Sequence, residues 1–249
     1  MNTLSAEAVA PHLRGRFGKP YHFEPVCEST QALLLGPDLP EGTVAATDHQ
    51  TAGRGRLGRV WEAPPGSSVL ASVLLHPPVE RSWPELSLLG GVAAAEAIEV
   101  ATTLSVQVKW PNDVMLDRRK VAGVLAEARD GAVVLGIGIN VNQTRAELPA
   151  DAPTEAASLR TVTGETYDVA VLLGSLLFRL EHLYDCWRQG GLPEIYADLG
   201  SRNFLFGRRV RVDGREGTGG VIAHDGRLEV HLAGGEAVHV ESGEVEYVR

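Results

Sequence analysis

The chain has 249 residues, 44% of them hydrophobic and 22% charged, with 32 acidic side chains against 23 basic ones and a formal net charge of −9. That size and apolar fraction suffice for one large domain, or a large and a small one, with a core that needs no staples. The acidic balance argues against a general nucleic-acid or membrane-surface binder, which carries a broad excess of Lys and Arg, so any anion site has to be local.

In chain order, the first twenty residues hold no apolar core of a secretory signal. The longest apolar run, VAVLLGSLLF at 169–178, is far shorter than the roughly 20 residues a membrane helix needs. Two cysteines, Cys27 and Cys186, stand far apart and in no metal-like spacing, which predicts free thiols and a reducing, cytoplasmic setting. Ser29–Leu35 reads as a short helix capped by Ser29 and burying its Ala-Leu-Leu-Leu face. GTVAATDHQ at 42–50 reads as a strand entering the loop that follows, and SSVLASVLL at 67–75 as a strand leaving it. Leu86, Leu89, Val92 and Ala93, with Glu96 and Glu99 opposite them, predict a helix over 84–103. SVQVKWPNDVML is a strand broken at Pro111, and 120–129 and 131–141 are expected to pair. Periodicity fails over 147–164, which predicts a mobile loop. A long amphipathic helix is then expected between Asp168 as cap and Gly190 as stop. From 203 to 249, short β-like runs alternate with Gly turns, the pattern of a small β-barrel.

Chemistry concentrates in the loops. Gly53–Trp61, GRGRLGRVW, alternates glycine, which lets the backbone approach a ligand, with arginines suited to carboxylate and phosphate. The Lys-Ser/Thr of a phosphate-binding P-loop is missing, and GRGRLG lacks the following helix of a dinucleotide fingerprint. Alone, the stretch fits a solvated basic loop equally well. Lys109–Leu116, KWPNDVML, stiffens the chain before Asn112 and Asp113, which could orient an amine or a phosphate, or form a plain surface turn. Lys120 enters an apolar strand, where a lysine commonly snorkels. Gly136 and Gly138 interrupt GIGIN, marking a bulge or a close approach to the backbone.

The succession S-T, Q-x-x-G-R-G-R-x-G-R-x-W, K-W-P-N-D, R-K-x-x-G, G-x-G-I-N resembles the biotin–protein ligases of the type without a DNA-binding domain, from about Cys27 to the C-terminus. The resemblance implies a mixed α/β (α+β) catalytic domain, a central mixed sheet flanked by helices, over residues 1–202. A small SH3-like barrel would occupy 203–249. It implies ATP, Mg2+ and biotin as reactants, biotinyl-5′-AMP as intermediate, and the biotin carboxyl carrier domain of a biotin-dependent carboxylase as partner, with no nucleic acid or membrane involved.

On the family pattern, Ser29, Thr30 and Gln50 surround the biotin ureido ring, and Gly53, Arg54 and Arg56 belong to a loop that closes over the ligand. Gly123, Gly136 and Gly138 leave room beside the bicyclic ring, and Trp61 walls it. Lys120 meets the carboxylate and phosphate. Arg54, Arg56, Arg59, Lys109, Asn112, Lys120 and Asn140 make up the nucleotide side. Arg56, Lys120 and Asp113 are the catalytic candidates, Asp113 receiving or directing the acceptor lysine's proton. Residues 156–160, AASLR, are expected over the nucleotide. Two departures stand out: Gln31 occupies the place of the family's asparagine, and neither a winged helix before residue 20 nor a basic face is expected, which removes an operator-binding role. The competing readings are a lipoate– or octanoate–protein ligase and a noncatalytic biotin sensor.

Overall fold

The computed structural model describes residues 2–35 and 39–248. Its centre is a seven-stranded sheet built from β1 (Tyr21–Cys27), β2 (Val44–Gln50), β3 (Ser68–Leu75), β4 (Gln107–Lys109), β5 (Asp113–Leu116), β6 (Arg119–Arg129) and β7 (Ala132–Asn140). The spatial order is β1-β2-β3-β7-β6-β5-β4. Only β1 and β2 run parallel; every other neighbour is antiparallel, so the sheet is mixed.

Period-two alternation gives this sheet two different faces. Val69, Ala71, Val73 and Leu75 of β3, with Leu135, Ile137 and Ile139 of β7, join the main core. That core also takes in α2 (Glu85–Thr102) and α4 (Val169–Gly190), which cover this face and pack on each other. On the other face Ala45, Leu74 and Val134 form a small separate cluster with Leu34. The remainder of that face is left for the site described below.

The short helices are α1 (Ala6–Val9), capped by the Ser5 hydroxyl, α3 (Leu159–Thr163), capped by Ser158, and α5 (Tyr196–Ser201). Asp168 accepts from the amides of Ala170 and Val171, so α4 starts at its expected cap, and Gly191 follows its last residue.

Several expectations are corrected. Helix α2 has no solvent face opposite its leucines, because sheet and α4 bury it almost all round. Glu96 lies 3.9 Å from Arg179, and Glu99 2.8 Å from Arg202. A Cβ on Gly90 would come within 2.9 Å of Val124, which is how closely this helix meets the sheet. Ser29–Leu35 holds one 3-10 turn, Ala32–Leu34, rather than a capped helix; Leu34 is buried and Leu33 exposed. Within 147–164, α3 forms, and the backbone binds β6: Lys120 N–H donates to Glu155 C=O at 2.8 Å and Ala157 N–H to Lys120 C=O at 2.9 Å.

The strand expected to break at Pro111 does so by folding back on itself: β4 and β5 pair antiparallel, with a cis Trp110–Pro111 bond in the turn between them. The C-terminal runs become β8 (Arg209–Val212), β9 (Arg215–Ile222), β10 (Leu228–Leu232), β11 (Ala237–Val240) and β12 (Glu246–Tyr247). They form a separate antiparallel sheet in the order β11-β10-β9-β8-β12; Arg249, the last residue of the final expected run, lies outside the described residues. This sheet is fastened to the larger one through Phe204 N–H to Val108 C=O at 2.9 Å and Trp110 Nε1–H to Gly226 C=O at 2.9 Å. Cys27 and Cys186 are free and half-buried. Among the described residues no helix is long and apolar enough to cross a membrane.

Candidate binding and catalytic site

The open face of the sheet is the floor of a cavity of about 590 Å³, within the size range of small-molecule sites. Register explains the floor. Gly123, Gly138 and Leu70 lie side by side on β6, β7 and β3, and Leu125, Gly136 and Ser72 form the next row. Of the individual site residues named from the family pattern, all but Gly53 line this cavity, while of residues 156–160 only Ala156 does. At Gly53 a Cβ would fall 2.2 Å from the Trp61 carbonyl oxygen and 2.8 Å from Gln50 Nε2, so this glycine lets the loop's two ends close on each other.

The loop between those ends is folded back on itself. Gly55 N–H donates to Arg59 C=O at 2.7 Å, Arg59 N–H to Arg56 C=O at 3.2 Å, and Trp61 N–H to Gly53 C=O at 3.0 Å. The Trp61 indole lies flat on the glycine floor: a Cβ on Gly138 would be 2.6 Å from Cε2, and one on Gly123 3.0 Å from Cζ3. The room beside these two glycines, expected for a ligand ring, is taken by this indole. Among the described residues its buried Nε1–H meets no acceptor, which is costly unless a ligand supplies one. The Lys120 ammonium sits 5.6 Å from the indole centroid, within cation–π range.

One end of the cavity is polar and neutral. Gln50 Oε1 accepts from Thr30 N–H at 2.9 Å, and the Thr30 and Ser72 hydroxyls are 2.7 Å apart. Ser29, Thr30 and Gln31 are all buried. Gln31 Nε2 donates to Leu125 C=O at 3.1 Å and Val134 C=O at 3.3 Å, so the longer amide reaches across Gly136 to tie the two strands.

The other end is cationic. Lys120 Nζ pairs with Asp113 Oδ1 at 2.6 Å. Lys109 is buried and donates to Thr154 Oγ1 at 3.0 Å; burial pulls its ammonium below the ordinary lysine range, against the opposing pull of Asp113. Arg56 donates to Asn112 Oδ1 at 3.2 Å and to Gly243 C=O at 3.4 Å, and burial likewise lowers its pKa. Asn112 is itself oriented by donating to Val124 C=O at 2.9 Å. Arg59 pairs with Glu244, while Arg54 turns to Glu127 at 2.8 Å. Asn140 donates to Ala157 C=O at 3.1 Å and accepts from Gln143 at 3.0 Å, which anchors residues 156–160 beside the cavity.

Sequence reasoning missed three contributors. Ser72, which bonds Thr30, is a hydroxyl in the middle of the apolar run SVLASVLL, a signal that could have been read. Thr154 and the turn Gly243–Val245 also line the cavity, but they stand in ordinary loop sequence far from the motifs. Among the described residues no group of three or more His, Cys, Asp and Glu side chains is placed to hold a metal ion. Chemically, the arrangement suits a ligand with a neutral hydrogen-bonding head, an apolar middle and an anionic tail, meeting a second, polyanionic ligand at the cationic end.

The profile of the Biotin/lipoate A/B protein ligase family matches residues 24–143. A biotin–[acetyl-CoA-carboxylase] ligase of Mycobacterium tuberculosis is 37% identical over 241 residues, covering 89% of this chain and 86% of that one. The bifunctional ligase/repressor BirA of Bacillus spizizenii is 34% identical over 224 residues, 86% of this chain; the alignment spans 66% of that longer relative. A biotin protein ligase from Aquifex aeolicus, solved in complex with biotin and ATP, superposes with a TM-score of 0.82 at 31% identity, over 93% of this chain and 99% of that one.

Proposed function

The chain belongs to the biotin/lipoate A/B protein ligase family, among its biotin protein ligases, and we propose that it activates biotin with ATP as biotinyl-5′-AMP and transfers it to a lysine of a biotin carboxyl carrier domain. The observation that carries this reading is the polarity of this cavity, with Thr30 and Gln50 at a neutral end and Arg56, Arg59, Lys109 and Lys120 at a cationic one. We read residues 1–202 as the catalytic unit and 203–249 as a C-terminal unit, since β8–β12 pair with one another and not with β1–β7.

In the first step the biotin carboxylate attacks the α-phosphate of Mg·ATP, and pyrophosphate leaves; Mg2+ enters as part of that substrate. An anion has to meet a polyanion, and preorganised positive charge lowers that barrier. In this reading Lys120 and Arg56 flank the meeting point, while Lys109 and Arg59 hold the leaving phosphates. Ser29, Thr30 and Gln50 address the ureido group. Trp61 leaves the glycine floor when the bicyclic ring arrives and covers it, keeping water from the anhydride.

In the second step an acceptor lysine attacks the anhydride and AMP leaves. A free lysine of pKa about 10.4 is neutral only to about one part in a thousand near pH 7, so a group that takes its proton helps. We assign to Asp113, which pairs with Lys120 at 2.6 Å, the role of receiving or directing that proton.

The test is ATP–pyrophosphate exchange with biotin, lipoate and octanoate supplied separately. Exchange with biotin alone is expected. Exchange with lipoate or octanoate instead would move the assignment to the sister ligases of this family. Tight biotin binding without exchange would leave a sensor.

A further inference from the structure

The three arginines of the Gly53–Trp61 loop are held by partners on three different elements. Arg54 pairs with Glu127 on β6 at 2.8 Å. Arg56 reaches Asn112 in the β4–β5 turn and the Gly243 carbonyl, and Arg59 pairs with Glu244. Gly243 and Glu244 belong to the turn between β11 and β12, in the C-terminal sheet. That turn is firmly rooted: Val245 is 1% exposed in the main core, and Gly243 has φ 104°, a conformation that favours glycine. Ahead of the Trp61 indole, which rests on the glycine floor, the loop has little apolar anchorage, for Leu57 is 68% and Val60 66% exposed. Its position therefore depends on the arginine contacts and a few backbone bonds.

We infer that Glu244 is a positioning residue which, together with the Gly243 carbonyl, clasps the arginine loop from the C-terminal sheet. The clasp keeps Arg56 and Arg59 over the cavity before any phosphate is present to attract them. An incoming polyanion then meets cations already in place, and less ordering of the loop opposes its binding. This inference rests on reading the cationic end as the nucleotide site.

The experiment uses Glu244→Gln, which keeps the shape of the side chain, and the exchanged pair Arg59→Glu with Glu244→Arg. Trypsin is added to the ligand-free full chain and cleavage after Arg56 is followed by mass spectrometry. For Glu244→Gln, cleavage should rise roughly threefold, the size expected when an exposed ion pair is lost and the open population grows. The thermal midpoint should not change. The exchanged pair should return cleavage after Arg56 to the original rate. In biotin-dependent exchange, Glu244→Gln should raise KM for ATP by a similar factor with kcat unchanged. An unchanged cleavage rate in Glu244→Gln overturns the clasp; if KM rises all the same, Glu244 acts on the ligand directly. Cleavage without rescue by the exchanged pair also overturns it. Since proteolysis is read without substrates, absence of exchange in the parent protein would sink the ligase reading alone.

Discussion

Lys120 and Asp113 meet at 2.6 Å because the pairing of β5 with β6 slips by a residue there. Val114 faces Ala122, but Met115 faces Lys120, so one residue of β6 bulges out. Lys120 and Gly123 are three apart and would point to opposite faces of a regular strand. The bulge lets both line the cavity, while Val121 and Ala122 between them stay in the main core. Lys120→Met should therefore reduce biotin-dependent exchange by about two orders of magnitude, the effect of losing roughly 3 kcal/mol of transition-state stabilisation. Asp113→Asn should retain most exchange and lose most transfer to a carrier fragment. Measuring both half-reactions separates the two, and equal loss in both would reduce Asp113 to orienting Lys120.

Adding a methyl group to Gly138 tests the indole on the floor. Its Cβ would lie 2.6–2.9 Å from Trp61 ring atoms, so Gly138→Ala must lift the indole off β7. Tryptophan emission should shift to the red as Trp61 gains water. Biotin affinity, read by calorimetry, should fall by about tenfold, the size expected when an added methylene disturbs a fitted site by ~1–3 kcal/mol. Unaltered emission would mean that the indole does not rest on the glycine floor in solution.

On the proposed reading, in which Lys109 meets phosphate, nucleotide binding should depend on pH. Burial lowers its pKa from 10.5, so as pH rises it loses its charge before an exposed lysine does. Phosphate favours the charged form. Affinity should thus weaken as pH climbs through the lowered value, and binding in that range should take up a proton. Calorimetry in buffers of different ionisation heat reads the uptake directly. Lys109→Met should abolish it, and persistence in that variant would assign the titration elsewhere.

Glu85 illustrates the opposite case, one of stability. It is buried and accepts from Trp187 Nε1 at 2.6 Å, and its pKa is raised chiefly by burial, with the Trp187 bond opposing. A raised carboxyl pKa means that the folded state favours the proton. The stabilisation is complete below the ordinary glutamate range and is lost as pH rises through the raised value. Glu85→Gln keeps an acceptor and removes the charge, so at pH 7.5 its melting temperature should be higher by about 2–4 °C, the shift that ~1 kcal/mol gives at this size. The gain should vanish towards pH 4. Glu85→Ala should instead melt lower, because it strands a buried indole N–H.

How much of this could be read beforehand depended on whether the signal was local. Strands β2, β3, β6 and β7 were legible since each is an apolar run ending at glycine or a turn. β1 was not, for it is an edge strand whose burial hardly alternates, with Pro25 inside it. The sidedness of α2 was misread because Glu96 and Glu99 look solvated until Arg179 and Arg202 arrive from distant parts of the chain. In the site, the glycines and cations announced themselves by type and spacing. Their partners did not: nothing near GRGRLG says that Arg54 will meet Glu127 and Arg59 will meet Glu244. The indole's rest position over Gly123 and Gly138 was equally invisible, being a matter of packing across three strands.

The cavity draws on Ser29 near the beginning of the sequence and on Val245 near its end. On a ribosome, therefore, the floor, the loop and the cationic end are all made before the last wall exists. Larger chains fold in units as they emerge, so the seven-stranded sheet can assemble while β11 and β12 are still being synthesised. During that interval Arg56 and Arg59 lack their C-terminal partners. Stalled nascent chains whose residues 243–245 are still inside the ribosome should be nicked readily at the loop, and those carried clear of it by an added C-terminal linker should resist. Competence to grip a ligand would then arise abruptly, once the turn at Gly243–Val245 has docked against the loop.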